Sequence, residues 1–327
     1  MKKFLCLLIV AIFFFTSCAT PNKIGDKSLT SNNETHPPEI NEDIYLGDPN
    51  YSSKHTEGLE FKLNEDNNSY AVVDCDATVE NITIPKIYKG MLVTKIKKYA
   101  FFMCDHIISI VLPDSIIEIE ESAIYYCKNL ETLNLPEGLV NIGNYAFQKC
   151  SALKSITIPS TIKHIHVGVF SECSSLEKII ITNGVETIDQ FAFNNCSSLT
   201  QITIPNSVTS LRCYSFYGCS NLYKIIIPGS IKNIENNIFS ECNNLYEITL
   251  LEGVETLHAF AFSGCDSLVT ITLPHSLIEF HPSAFSGCYN LKNVNYYGNS
   301  SDWKKIQKGN YAWNTGTKVT KINFIED

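Results

Sequence analysis

The sequence predicts a repeat solenoid made mainly of β-structure, in which about ten coils of a 23-residue repeat contribute short parallel strands and tight turns. Three observations predict it: a cysteine recurs with a 23-residue period, an apolar residue, usually Phe, stands three positions before it, and an alternating apolar segment follows it. A fixed period between 20 and 50 residues is the signature of stacked repeats. The nine recurring cysteines are Cys104, Cys127, Cys150, Cys173, Cys196, Cys219, Cys242, Cys265 and Cys288.

Each coil divides into a turn and two extended segments. In the coil that begins at Ala146, Phe147 and Cys150 belong to the turn, Leu153 starts the pattern L-x-x-I-x-I, and Pro159 closes it. Alternate residues share one face of a strand, so this β-branched segment predicts a short strand with one buried face. The proline ends the strand or confines it to the edge of a sheet, because proline has no amide donor. A further apolar pair predicts a second extended segment on the opposite wall.

A single 23-residue coil cannot close a core of its own. Its apolar side chains are buried only against the coils before and after it, so the stability of the solenoid depends on stacking. The chain of 327 residues, 44% hydrophobic and 18% charged, is long enough to bury a sizeable core in this way.

The cysteine column is predicted to consist of small, buried, reduced side chains that pack the turns. Equivalent residues in stacked coils have parallel side-chain vectors about 4.8 Å apart, and a disulfide needs a closer and differently oriented pair. The sequence has no C-x-x-C spacing that would indicate zinc or a redox pair. Cys75 and Cys213 lie outside the 23-residue register.

The amino terminus predicts export and lipid attachment. Met1-Lys2-Lys3 is basic, and the apolar run Phe4–Phe15 has the length of a signal-peptide core, too short to span a bilayer. Phe15-Thr16-Ser17-Cys18 resembles the bacterial lipobox, so residues 1–17, with Cys6, are expected to be removed and Cys18 lipidated. Residues 18–56 are polar and predict a lipidated flexible tether. The alternative is an ordinary signal peptide followed by an unmodified cysteine.

The repeat resembles that of the BspA-like leucine-rich repeat proteins, which occur largely on bacterial surfaces. The matching motif is the segment from Ile142 to Cys150 (IGNYAFQKC), followed by L-x-x-I-x-I and proline, with its counterparts in the other coils. The resemblance implies a leucine-rich repeat solenoid over residues 57–296, in which 57–103 form an irregular first coil and cap with a five-residue insertion. Residues 297–327 resemble the closing segment of the family.

The sequence predicts neither an enzyme nor a nucleic-acid-binding protein, and no cofactor. It contains none of the usual nucleophile, zinc or phosphate motifs, and its net charge is −9, from 25 Lys and Arg against 34 Asp and Glu. His164 and His166 share one face of an extended segment, with Asp189 one coil further on, so a three-ligand metal site is conceivable. Unrelated residues occupy the same columns in other coils, which favours a solvated face, and no metal is expected.

The outward face of the first strand in each coil is the predicted partner-binding surface. Solenoids use such broad ladders as interaction surfaces, and exposed apolar and aromatic residues are the expected anchors. The candidates are Ile180, Ile226, Tyr223, Tyr246, Lys178, Lys224, Thr203 and Thr249. The alternative is that β-branched residues merely suit a strand and that loops elsewhere do any binding.

These observations, with the resemblance, predict an exported lipoprotein anchored through Cys18 in the bacterial cell envelope, at the outer membrane or cell surface. The solenoid is expected to bind proteins or other macromolecules, and the resemblance implies adhesion to host matrix proteins or other cells. The alternative is a structural envelope protein that faces the periplasm and binds other envelope components.

Overall fold

A computed structural model describes residues 55–309 and 312–325, all of which belong to one unit, Glu42–Asp327. The predicted signal peptide, Cys18 and all of the predicted tether except its last two residues lie outside the described residues. Within the described part of the chain, no helix has the length and apolar character needed to cross a bilayer.

The described residues form a solenoid of parallel strands with almost no helix, which confirms the predicted fold class. The elements in chain order are β1 (Leu59–Leu63), β2 (Ser69–Cys75), β3 (Asn81–Thr83), β4 (Ile87–Tyr88), β5 (Met91–Ile96), β6 (Ser109–Val111), β7 (Glu118–Ile119), β8 (Thr132–Leu133), β9 (Asn141–Ile142), β10 (Ser155–Ile158), β11 (His164–Ile165), β12 (Lys178–Ile181), β13 (Thr187–Ile188), β14 (Ser210–Leu211), β15 (Lys224–Ile227), β16 (Asn233–Ile234), β17 (Glu247–Leu250), β18 (Thr256–Leu257), β19 (Thr270–Leu273), β20 (Glu279–Phe280), β21 (Asn293–Tyr297), α1 (Ser300–Lys305) and β22 (Ile322–Ile325).

The strands lie on two walls. The front wall consists of three parallel sheets, β3-β6-β8, β10-β12 and β15-β17-β19-β21-β22, and the back wall carries the shorter strands β7, β9, β11, β13, β14, β16, β18 and β20. Paired residues in adjacent regular coils are 23 positions apart, as Ser155 with Lys178 and Thr187 with Ser210 show. The register therefore equals the sequence period.

The core follows the predicted alternation of buried and exposed residues. In β10, Ile156 and Ile158 are buried while Ser155 and Thr157 are exposed. Seven phenylalanine rings, Phe147, Phe170, Phe193, Phe216, Phe239, Phe262 and Phe285, stack face to face along the interior with centroids 5.2–5.7 Å apart. Each ring is almost completely buried, so every coil contributes one large apolar side chain to a continuous column.

The nine recurring cysteines are buried, as predicted, and eight of them have a further role. The thiols of Cys127, Cys150, Cys173, Cys196, Cys219, Cys242, Cys265 and Cys288 each donate to a backbone carbonyl of the preceding coil, at Sγ···O distances of 3.0–3.3 Å. The acceptor stands 26 residues earlier and belongs to the Phe column, or to Ile124 where Ile replaces Phe. The sequence identified a compact apolar residue here, whereas the structure shows a small donor that satisfies a buried carbonyl.

Each regular coil turns with the help of two residues in the left-handed region. One of these columns contains Tyr99, Ser122, Tyr145, Gly168, Phe191, Tyr214, Asn237 and Phe260, and the other runs from Met103 to Gly287 in steps of 23. Large side chains are uncommon at positive φ, so stacking must hold these turns. Gly168 has a second constraint, because a Cβ there would lie 2.5 Å from the ring of Tyr145.

The first coil departs from the repeat through two antiparallel hairpins. β1 pairs with β2, and β2 then joins β5 in parallel, so the first hairpin lies at the amino-terminal end of the back wall. The five-residue insertion predicted from the sequence forms the hairpin of β4 and β5, whose turn residues Lys89 and Gly90 have φ of 49° and 77°. Two positive φ values in succession are the geometry of a type I′ hairpin turn.

The closing segment covers the other end of the core. β22 adds to β21 in parallel, and the side chain of Asn299 caps α1 by accepting from the amides of Ser301 and Asp302. Trp303 and Trp313 pack against the last apolar residues, with Trp313 making edge contacts to Phe280 and Phe285. An end coil has only one neighbour, so this aromatic cover replaces the missing one.

We expect the stability of the solenoid to fall as pH rises above about 9, because burial raises the thiol pKa values. Burial raises the pKa of Cys173 and of Cys219 from 9.0 to about 12. The stability that a raised thiol pKa contributes is fully present below the unfolded-state pKa of 9.0. It is lost as the pH rises from there towards 12, at about 1.4 kcal/mol per pH unit for each thiol. The check is the urea midpoint at about pH 7.5, 9 and 10.5 under reducing conditions.

The matched variant for this pH test is the double substitution Cys173→Ala and Cys219→Ala. It should lower the midpoint at neutral pH but reduce the additional fall between pH 9 and 10.5, since two titrating thiols are gone. Lysine and tyrosine ionisation is common to both proteins. An identical fall of the urea midpoint in the two would therefore contradict the assignment of the pH dependence to the thiols.

Replacement of Phe193 by Ala should destabilise the solenoid by about 3 to 5 kcal/mol, because it opens a cavity between two stacked rings. The control is Phe260→Ala, since that ring is 43% exposed and its removal should cost under about 1 kcal/mol. Urea unfolding followed by circular dichroism measures both. Equal midpoints for the two variants would show that the ring column is not a main source of stability.

Candidate partner-binding surface

The front wall places one column of outward side chains across successive coils. Ile180 pairs in register with Thr157 of the coil before, and Ile226 pairs with Thr249 of the coil after. Ile180 is 44% exposed and Ile226 is 48% exposed, although their neighbours along each strand are buried. Thr203 between them is exposed, and Thr249 is half-buried.

A second column, beside the first, carries the lysines. Lys178 and Lys224 are both exposed, with Gln201 between them. The Nζ of Lys224 lies 2.8 Å from Oε1 of Glu247, one coil further on. Lys178 makes no ion pair within the described part of the chain, so its ammonium group is available to a partner.

Tyr223 and Tyr246 form a stacked pair at the edge of the front wall. Their ring centroids are 5.5 Å apart with an interplanar angle of 8°, and the two side chains are 57% and 40% exposed. The backbone amide of Tyr246 donates to the carbonyl of Tyr223 at 2.8 Å. The pair therefore presents a flat apolar surface whose hydroxyl groups can bond to a partner.

The front wall is interrupted between β12 and β15, and a groove of about 620 Å³ lies there. On the front wall, the intervening coil makes only an isolated bridge, between Gln201 and Lys224. The groove brings together five of the predicted residues, Lys178, Ile180, Thr203, Lys224 and Ile226. It does not include Thr249, Tyr223 or Tyr246.

Among the exposed residues that line this groove, sequence reasoning did not select Gln201, Asn206 and Leu251. Gln201 lies in the lysine column, and Leu251 is 43% exposed at its far side. Leu251 stands one 23-residue period after Pro228, at a position where most coils have the proline that ends the strand. That departure from the repeat was the signal that could have identified it.

A second groove, of about 640 Å³, lies between the last coils and the closing segment. Its lining includes Glu252, His275, Asn299 and Asp302 beside the apolar Leu250 and Ile325. Asp302 is already bonded to Lys305 at 2.9 Å, which lowers the pKa of its carboxyl group. The irregular closing segment forms one side of this groove, and the repeat pattern therefore could not predict it.

The histidine alternative falls on the back wall, away from both grooves. Nδ1 of His166 lies 3.5 Å from Oδ2 of Asp189, and the rings of His164 and His166 are 5.8 Å apart. Within residues 55–309 and 312–325, no group of three or more His, Cys, Asp or Glu side chains is arranged to hold a metal ion. His166 and Asp189 form a pair between adjacent coils, like the lysine and glutamate pairs around them.

The chain belongs to the family described as BspA type leucine-rich repeat region. Six copies of the family model match, over residues 68–199, 163–292 and 209–327, which together cover most of the chain. This match confirms the resemblance on which the sequence analysis relied. The family is a binding scaffold built from stacked repeats, and such solenoids present broad surfaces to protein partners.

Several solved structures are similar to this chain. A leucine-rich repeat protein of T. pallidum, TpLRR, is 23% identical, with 66% of this chain and 91% of that chain covered and a TM-score of 0.47. A leucine-rich cell surface protein of Faecalibacterium prausnitzii is 22% identical, with 80% and 99% covered and a TM-score of 0.43. The pneumococcal vaccine antigen PcpA is 20% identical, with 85% and 88% covered and a TM-score of 0.48. No curated protein matches the chain.

Proposed function

We propose that this protein is an exported lipoprotein of the bacterial cell envelope, and that its front wall binds a protein partner in adhesion to host matrix proteins or other cells. The observation that carries the binding proposal is the groove between β12 and β15, where exposed Ile180 and Ile226 lie beside Lys178 and Lys224. Membership of a binding-scaffold family supports the same conclusion.

The groove suits a segment of protein with apolar and acidic side chains. Ile180, Thr203 and Ile226 provide an apolar floor, and exposed apolar residues of this kind usually supply most of the energy of an interface. Lys178 has no acidic partner within the described residues, so a carboxylate from the bound segment would form an ion pair with its ammonium group. Complementary charge of this kind favours the correct partner and speeds association.

The tyrosine pair extends the proposed surface beyond the groove. Tyr223 and Tyr246 are rigid, flat and exposed, and tyrosine is enriched in protein interfaces because it combines a large apolar area with a hydroxyl group. A partner that covers both the groove and this pair would gain several modest contacts and a few strong ones. Such a surface fits a macromolecule better than a small ligand, which needs convergent groups in a deep pocket.

The anchoring proposal rests on the sequence of the amino terminus. A basic start, a 12-residue apolar run and a small-residue segment before Cys18 are the features of an exported lipoprotein. Each buried methylene of an acyl chain contributes about 0.8 kcal/mol, so several chains on one cysteine give a stable anchor. The polar residues after Cys18 would then hold the solenoid away from the membrane.

The double substitution Ile180→Asp and Ile226→Asp should weaken partner capture at least tenfold without unfolding the protein. Each change places a carboxylate on the apolar floor of the groove, and loss of an interface anchor commonly costs about 2 kcal/mol, which corresponds to more than a tenfold loss of affinity. The measurement is the retention of proteins from an extracellular-matrix extract, and of whole cells, by the immobilised protein.

The matched control for this test is Val140→Asp with Ile278→Asp. These two side chains are 57% and 53% exposed outside the front wall, so they repeat the change in charge and hydrophobicity elsewhere. We expect the control to bind as the wild type does. Full binding by a folded Ile180 and Ile226 variant would exclude the groove, and a lost β-type circular dichroism signal would show that these side chains support the fold.

Replacement of Cys18 by Ala should abolish fatty-acid incorporation and move the protein out of the membrane fraction. The matched control is Cys6→Ala, because Cys6 lies in the segment expected to be removed. Labelled fatty acid and cell fractionation measure both variants. Unchanged membrane partitioning of the Cys18 variant would contradict the anchor, and a protein spared by protease added to whole cells would favour the structural role in the periplasm.

A further inference from the structure

Two cysteines meet at the amino-terminal end of the solenoid. Cys75 is the last residue of β2, and Cys104 lies in the first turn of the repeat, 29 residues later. The Sγ of Cys104 lies 3.9 Å from the Cys75 carbonyl oxygen, and also 3.9 Å from the carbonyl oxygen of Phe102. The Cys104 thiol therefore lies against Cys75.

This pair differs from the rest of the cysteine column in position and exposure. Cys127 and each later column member has its thiol on a carbonyl of the preceding coil and is completely buried. Cys75 and Cys104 are 7% and 8% exposed, the highest values among the described cysteines. A dissolved oxidant can therefore reach this pair more easily than the column.

We propose that Cys75 and Cys104 are the site of a disulfide that joins the amino-terminal cap to the first regular coil. The parallel arrangement that opposes disulfides within the column does not apply here, because Cys75 lies on a strand of the cap, outside the 23-residue register. Because the Cys104 thiol already lies 3.9 Å from the backbone of Cys75, the two side chains can join with little movement of the backbone.

The chemistry begins at Cys75. The hydrogen bond from Cys104 lowers the pKa of the Cys75 thiol, which increases the fraction present as the nucleophilic thiolate. The Cys75 thiolate attacks a disulfide of an external oxidant, a thiol–disulfide oxidoreductase or oxidised glutathione, and releases one thiol. Cys104 then loses its proton and attacks the sulfur of Cys75, which releases the second thiol. Two protons and two electrons thus pass to the oxidant.

The bond would strengthen the part of the solenoid that has a neighbour on only one side. It closes a loop that contains β3, β4 and β5, including the hairpin of the insertion. A cross-link over a loop of this length restricts the unfolded chain and therefore favours the folded cap. Disulfides of this kind persist in oxidising compartments, which fits a protein that is exported.

The experiment treats the purified full chain with oxidised glutathione. The protein is then denatured, its free thiols are blocked with an alkylating agent, and it is digested without reduction. Mass spectrometry should show a linked peptide that contains Cys75 and Cys104, while the eight later column cysteines are alkylated. The melting midpoint of the oxidised protein should exceed that of the reduced protein by on the order of 5 °C. Because the oxidant is added in vitro, the result depends neither on the cellular location nor on partner binding.

Two variants make the assignment specific. Cys75→Ser should abolish the linked peptide and the gain in melting midpoint, and the control Cys213→Ser should keep both. Circular dichroism establishes that each variant is folded. The proposal would be overturned if both Cys75 and Cys104 were recovered in alkylated form after oxidation, or if Cys75 remained as a stable mixed disulfide with glutathione.

Discussion

The stacking of each coil on the next at a 23-residue register is the constraint on which the whole structure depends. No coil has a core of its own, so the phenylalanine rings, the thiols and the paired strands all find their partners one coil away. A shift of the register would separate all of these contacts at once. This is the reason that turns with large residues at positive φ, such as Tyr145 and Phe191, are tolerated.

The same register also organises the surface of the protein. Opposite charges recur one coil apart at the surface, as in Lys95 with Glu118 and Lys232 with Glu255, and each such partly exposed pair contributes little energy by itself. Where the front wall is interrupted, exposed isoleucines and lysines face the same groove. A scaffold held together by its interior can therefore vary its outward columns, which is how one fold serves many binding partners.

The two ends of the solenoid need other solutions, because an end coil has no further neighbour to cover it. Aromatic residues of the closing segment cover the carboxyl-terminal end, and two hairpins form the amino-terminal end. The cysteine thiols make different contacts within the column and at the amino-terminal end. Within the column the thiol satisfies a carbonyl of the coil before, whereas at the amino-terminal end the thiol of Cys104 lies against Cys75.

The sequence by itself determined the period, the strand alternation, the buried phenylalanine and cysteine columns and the outward direction of Ile180 and Ile226. It could do so because each of these features recurs in successive coils. It could not show the thiol–carbonyl bonds, the break after β12 or the inclusion of Leu251 in the groove. It also could not bring Cys75 to Cys104, because that contact occurs once and outside the register. Such features depend on distances between coils, and only the tertiary structure decides those distances.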